Sequence, residues 1–242
     1  MRVLKVVMNR PFVSVLTPTY NRRKFIPYLI ECFKAQEYPQ EKMEWIILDD
    51  GTDKVGDIFS SSGLKNVRYY SEDIKLNIGA KRNKLNELAK GEIMVCFDDD
   101  DYYCKERVSH AVSKLSSIKG ADICGSSEIY MYYTDNKKIY NLGPYNPNHA
   151  TNGTMAYRKK YAKTHKYDET VTHAEETSFL NGYKVPMIQL DPLKVMLVLS
   201  HSENTFDKKK LRENLNPLFR LSTMKIQNFI KNKQLRDFYA DA

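Results

Sequence analysis

Residues 92–103 read EIMVCFDDDDYY, an apolar run that ends in four consecutive aspartates. A short apolar run bounded by polar residues fits a strand buried on both faces. Carboxylates this close repel one another and favour solvation or a bound cation. The reading of the chain turns on what meets them at the end of that strand.

Working outward, residues 78–90 (IGAKRNKLNELAK) have helical spacing, with Gly91 placed as a C-terminal cap. Before them come a strand at 66–71 (NVRYYS), a short helix around DKVGDIFSS and a strand at 44–50 (EWIILDD). Further upstream lie a helix at 24–36, with Pro27 in its first turn, and a strand at 12–18 (FVSVLTP). After the aspartates, KERVSHAVSKLSSI is another helix. Strands and helices alternating at these spacings predict right-handed crossovers, hence an α/β fold with a Rossmann-like, mainly parallel central sheet flanked by helices. Ligands in such folds collect at the carboxyl ends of the strands. TPTYN, DDGTD and DDDD fall there, after the first, second and fourth strands.

The second half is rich in tyrosine, asparagine and turn residues and predicts strands of mixed direction with long loops. HAEETSFLNG, residues 173–182, reads as a short helix ended by glycine, and YKVPMIQLDPLKVMLVLSH as further strands. From Lys208 onward the spacing is helical and basic. No clean linker interrupts the chain. The expected organisation is one domain over 1–206, its halves meeting near residue 101, with a helical extension over 207–242.

The chain has 242 residues and a formal net charge of +8, which suits nucleic acid, an acidic membrane surface or phosphorylated small molecules. Cys32, Cys96, Cys104 and Cys124 show no zinc spacing and are expected as reduced thiols of a cytoplasmic protein. The first residues, MRVLKVVMNRP, hold too short an apolar run for a secretory signal, and no stretch is long enough to span a membrane. The NGT at Asn152 is read as a chance match to a glycosylation acceptor.

The segments VSVLTPTYNRRKFIPYLIECFKAQEYP, WIILDDGTD, NIGAKRNKLNELAKGEIMVCFDDDDYY, TNGTMAYRKKY and HAEETSFL stand in one order and spacing. That ordered set resembles the family 2 glycosyltransferases of the GT-A fold, from about residue 12 to about residue 201. The resemblance implies an inverting, metal-dependent glycosyltransferase. It would move a sugar from a nucleotide diphosphate donor, a uridine diphosphate hexose, to a hydroxyl of a glycan or glycolipid, with manganese or magnesium as cofactor. The nucleotide-sugar half would be about 1–101 and the acceptor half about 102–206.

By position, the resemblance sets Pro18, Thr19 and Tyr20 beside base and ribose and Asp50 on the base. It brings Lys81 and Arg82 to diphosphate and ribose. Asp98 and Asp100 match the D-x-D pair, with Asp100 the direct metal ligand and Asp98 nearer ribose and donor sugar. Asp99, also set at the donor, and Asp101 leave the register open by one position. His201 matches a third metal ligand of some GT-A enzymes. Glu176 matches the general base, and the pair Glu175–Glu176 stands where the family has Glu-Asp.

Two other classes compete. A nucleotidyltransferase shares the alternating fold and acidic site, but TPTYNRR lacks the glycine-rich loop expected after its first strand. A non-catalytic nucleotide-sugar or nucleic-acid binder fits the charge and the 17 tyrosines, yet these are spread along the chain rather than gathered into a motif. The basic, apolar-spaced C-terminal stretch from Phe206 to Phe238 permits peripheral contact with anionic lipid. Its alternative is packing on its own domain.

Overall fold

The structure, a computed structural model, describes residues 10–204, 208, 210–213 and 216–242. Its strands are β1 (Val13–Thr19), β2 (Met43–Asp49), β3 (Val67–Ser71), β4 (Ile93–Cys96), β5 (Tyr102–Tyr103) and β6 (Ile123–Gly125). There follow β7 (Ile129–Tyr133), β8 (Lys138–Leu142), β9 (Ala156–Arg158), β10 (Ile188–Gln189), β11 (Met196–Ser200) and β12 (Phe219–Leu221). The helices are α1 (Ile26–Lys34), α2 (Gly56–Ser61), α3 (Ile78–Leu88), α4 (Arg107–Ser117), α5 (Lys159–Thr164), α6 (Glu176–Phe179), α7 (Lys210–Glu213), α8 (Ile226–Phe229) and α9 (Lys233–Asp241).

The first sheet runs β10-β6-β9-β4-β1-β2-β3 and the second β12-β8-β7-β11-β5. Neighbours in the first are parallel except around β9, which is antiparallel to both β4 and β6. Every residue of β1, β2 and β4 is buried, as expected of strands covered on both faces. Trp45 anchors one side of the core, stacked on Phe33 at 4.6 Å and edge-on to Phe59 at 5.2 Å.

The α/β prediction holds, and the aspartate run acquires a topological meaning. The chain leaves β4 in the first sheet at Cys96 and joins the second at β5, where Tyr102 and Tyr103 pair antiparallel with Leu197 and Met196 of β11. The aspartates are therefore the bridge between two sheets.

Two expectations fail locally. Gly91 does not cap α3, whose last turn passes directly into extended backbone at Ala89. Glycine is needed there because a Cβ would lie 2.5 Å from the Ser14 backbone nitrogen. The segment read as helical from Lys208 onward contains β12, which pairs antiparallel with β8. Here sheet pairing outweighs local helical spacing. The four cysteines are free and buried, and Asn152 and Thr154 of the NGT triplet are buried too.

Candidate active site

The four aspartates meet different sets of partners, with Arg22 shared between Asp99 and Asp100. Asp98 Oδ1 accepts from Arg82 Nη2 at 2.9 Å. Asp99 Oδ2 accepts from the Tyr20 backbone N–H at 3.3 Å, and Arg22 Nε lies 3.8 Å from its other oxygen. Asp100 Oδ2 accepts from Arg22 Nε at 3.3 Å and from Asn204 Nδ2 at 3.3 Å, and lies 3.1 Å from His201 Nε2. Asp101 accepts from the Leu199 backbone N–H at 2.8 Å and so ties the run to β11.

These environments separate the acids. Burial, with the neighbouring charge of Asp100, pushes Asp99 up to about 7. Burial also raises Asp101 to about 8. For Asp100, burial acts in the same direction, but His201, Lys208 and Arg22 outweigh it and hold it below the usual carboxylate range. Asp100 therefore stays ionised.

Of the residues expected on a metal, the structure brings Asp100 and His201 together. Asp98 turns away to Arg82. Among the described residues no three or more His, Cys, Asp or Glu side chains gather to hold a cation alone. One carboxylate and one imidazole nonetheless fit a divalent ion that takes its remaining ligands from a diphosphate and water. The Glu203 backbone N–H donates to His201 Nδ1 at 3.2 Å, while Nε2 faces the Asn204 amide nitrogen at 2.8 Å and Asp100 at 3.1 Å.

The residues expected on the base and diphosphate also converge. Thr19 ends β1, and its carbonyl accepts from Lys81 Nζ at 3.1 Å. Lys81 ion-pairs with Asp50 Oδ1, while Asp50 Oδ2 accepts from the Leu76 backbone N–H at 2.7 Å. Pro18 pairs with Leu48 in the sheet, and Tyr20 continues from it with Lys75 Nζ 4.1 Å from its ring centroid. Lys81 and Arg82 are buried rather than lying on a solvated helix face. Burial lowers the Lys81 pKa, with Asp50 opposing the shift.

Arg82 links the aspartate run to the second acidic motif. Its Nε donates to Glu175 at 2.7 Å while Nη2 holds Asp98. Glu175 is buried in this pair. Glu176, the first residue of α6, makes no side-chain hydrogen bond or ion pair to another of the described residues. Burial, then the charge of Glu175, pushes Glu176 up to about 7. A carboxyl group so poised is suited to accept a proton near neutrality.

Some participants escaped the sequence reading. Arg22 sits inside TPTYNRR, but nothing in its spacing tells that it reaches Asp99 and Asp100. Gly153 is another: a Cβ there would lie 2.7 Å from Asp98 Oδ2 and 3.0 Å from the Tyr103 hydroxyl. The NGT triplet thus owes its glycine to the aspartate run.

Comparison with known proteins gives one family match: the model described as "Glycosyl transferase family 2" covers residues 14–180. Glycosyltransferase AglE of Haloferax volcanii is 30% identical over 126 residues, covering 50% of this chain and 41% of that protein. The putative teichuronic acid biosynthesis glycosyltransferase TuaG of Bacillus subtilis is 34% identical over 102 residues, 41% of this chain and 40% of that protein. The chain thus spans less than half the length of these curated relatives. Among solved structures, Staphylococcus aureus TarS 1–349 in complex with UDP-GlcNAc superposes with a TM-score of 0.66 at 20% identity, covering 79% of this chain and 59% of that one. The mannosyltransferase PcManGT of Pyrobaculum calidifontis, in complex with GDP-Man and Mn2+, gives 0.63 at 16% identity, with 81% and 59% covered. At these identities the superpositions show the fold.

Proposed function

The chain belongs to glycosyl transferase family 2, and on that premise we propose that it moves a sugar from a nucleotide diphosphate donor to an acceptor hydroxyl, inverting the anomeric centre. The observation that carries this reading is the division of labour at Arg82. It hydrogen-bonds Asp98 and Glu175 and, among the described residues, leaves Glu176 with no hydrogen-bonded partner residue, in the protonation range of a general base.

The donor is a uridine diphosphate hexose. Its base lies by Tyr20 and Asp50, where a carboxylate held by Lys81 and Leu76 keeps lone pairs for the uracil ring N–H. Lys81 and Arg82 supply positive charge toward the diphosphate, and Asp98 stands at the ribose and sugar. Asp100 and His201 would hold manganese or magnesium, which when bound neutralises charge on the departing diphosphate. Glu176 takes the proton from the acceptor hydroxyl as its oxygen attacks from the opposite face of the sugar. The acceptor is a glycan or glycolipid. A relative with UDP-GlcNAc and another with GDP-Man and Mn2+ support a nucleotide-sugar donor and a cation.

The test is thermal stabilisation by uridine and guanosine diphosphate sugars, each with manganese and with a chelator. A uridine diphosphate sugar at a hundredfold excess over Kd should stabilise the protein by about 2.7 kcal/mol, and only with metal. Stabilisation that ignores the metal contradicts the cation's role; preference for guanosine contradicts the Asp50 assignment.

A further inference from the structure

Next to α6 lies a set of aromatic rings that the donor site does not use, reached through the contact of Tyr183 with Thr177. Tyr145 and His149 have ring centroids 4.5 Å apart, and His149 stacks on Tyr183 at 4.9 Å with planes 23° apart. All three are half-buried, so the stack is partly open to solvent. The rings come from two segments, each held by its own hydrogen bonds. Gln189 Nε2 donates to the carbonyls of Pro147 at 2.7 Å and His149 at 3.1 Å, which pins the first loop. The Tyr183 hydroxyl lies 3.0 Å from that of Thr177, the residue after Glu176. Burial raises the pKa of the Tyr183 hydroxyl, and the charges of Glu176 and Glu175 add to the rise. The Tyr183 hydroxyl is thus tied to the residue that follows the candidate base.

The backbone here is strained. Ala174, Asn181 and Tyr183 adopt left-handed φ values of 54°, 48° and 61°, on both sides of the four-residue helix α6. Such conformations persist where the surroundings over-determine them, and they gather at ligand sites. Tyrosine has no intrinsic reason to take this φ; the result is a ring set against His149.

We propose that Tyr145, His149 and Tyr183 form the acceptor platform and that it receives the face of a pyranose ring, presenting one hydroxyl to Glu176. The proposal rests on the glycosyltransfer reading above. A pyranose offers a face of C–H bonds that packs on the electron-rich face of an aromatic ring, and a rim of hydroxyls for polar neighbours such as Thr177. A polyol phosphate offers no such face and calls for cations instead. The stack contributes rings and hydroxyls rather than arginine or lysine.

Ligand-observed NMR on the UDP-loaded protein tests this, with methyl β-D-glucopyranoside, methyl N-acetyl-β-D-glucosaminide, methyl α-D-mannopyranoside and ribitol 5-phosphate as probes. At least one methyl pyranoside should show saturation transfer. Tyr183→Ala should weaken its binding by about 2–12-fold, the equivalent of one aromatic contact. Tyr183→Phe should retain it, and His149→Ala should lower it without touching α6. UDP binding, measured in the same samples, should stay unchanged. The platform is overturned if the UDP-loaded protein binds no pyranoside, if it binds ribitol phosphate alone, or if Tyr183→Ala binds as wild type does. A wild-type protein that fails to bind UDP strikes the donor reading instead.

Discussion

Arg82 Nε lies 2.7 Å from Glu175 and Nη2 2.9 Å from Asp98, and this single side chain distinguishes two adjacent glutamates. Glu175→Gln should cost about 1.5–3 kcal/mol in urea unfolding, the value of a hydrogen bond to a charged group. It should also weaken donor binding through Asp98. Asp100→Ala should abolish the difference that manganese makes to donor stabilisation. Asp98→Ala should diminish it less, because Asp98 faces Arg82 rather than His201. Equal metal dependence in Asp100→Ala and wild type would contradict the assignment of Asp100. Asp50→Ala is the less informative variant at the base, since it strands the buried Lys81; Asp50→Asn keeps the shape and should weaken uridine diphosphate binding by about 1–3 kcal/mol.

At the scale of elements, the alternation of strands and helices was legible because β1, β2 and β4 are continuous apolar runs closed by polar turns. The strand ends were legible for the same reason. The division of the four aspartates was not, since it depends on partners as distant in sequence as Leu199 and His201. Glycine roles were hidden too. Gly91 reads locally as a cap, while its real constraint is the backbone of β1. Gly153 gives the sharpest element-scale prediction. Gly153→Ala should drive its new methyl against Asp98 and Tyr103 and lower donor affinity. Isothermal titration with a uridine diphosphate sugar checks this, and unchanged affinity would show that the turn at 152–154 does not shape the site.

At the scale of the whole molecule, the C-terminal helix α9 packs on α1 and the aspartate run. The Tyr239 hydroxyl donates to the Asp101 carbonyl at 3.2 Å, and Phe238 stacks on Tyr28 with centroids 3.4 Å apart. Phe238 also packs edge-on against Phe25, whose other ring contact is His201 at 4.7 Å. The apolar side of α9 is thus spent on α1 and the aspartate run, the alternative to lipid contact. Among the described residues no helix is long and apolar enough to cross a membrane. The sequence pattern showed an amphipathic helix but not its partner, because period alone does not say what an apolar stripe packs against. Removing residues 233–242 should lower the melting temperature and weaken metal-dependent donor binding together. A truncated protein with both intact would show α9 to be an appendage.

The central claim is that Glu176 works as a base on a donor held by the other acids. Its pKa is raised to about 7 by burial, and only the ionised carboxylate accepts a proton. Activity should therefore be low below that value, rise through it and level off above. The direct measurement is release of uridine diphosphate from its hexose, with manganese and water as acceptor, across that range for wild type and Glu176→Gln. The account predicts a rising limb near pH 7 in the wild type. In Glu176→Gln that limb should vanish, with release slower by about 10²–10⁴-fold and donor affinity unchanged. Release by Glu176→Gln at the wild-type rate, with the same pH profile, would contradict it.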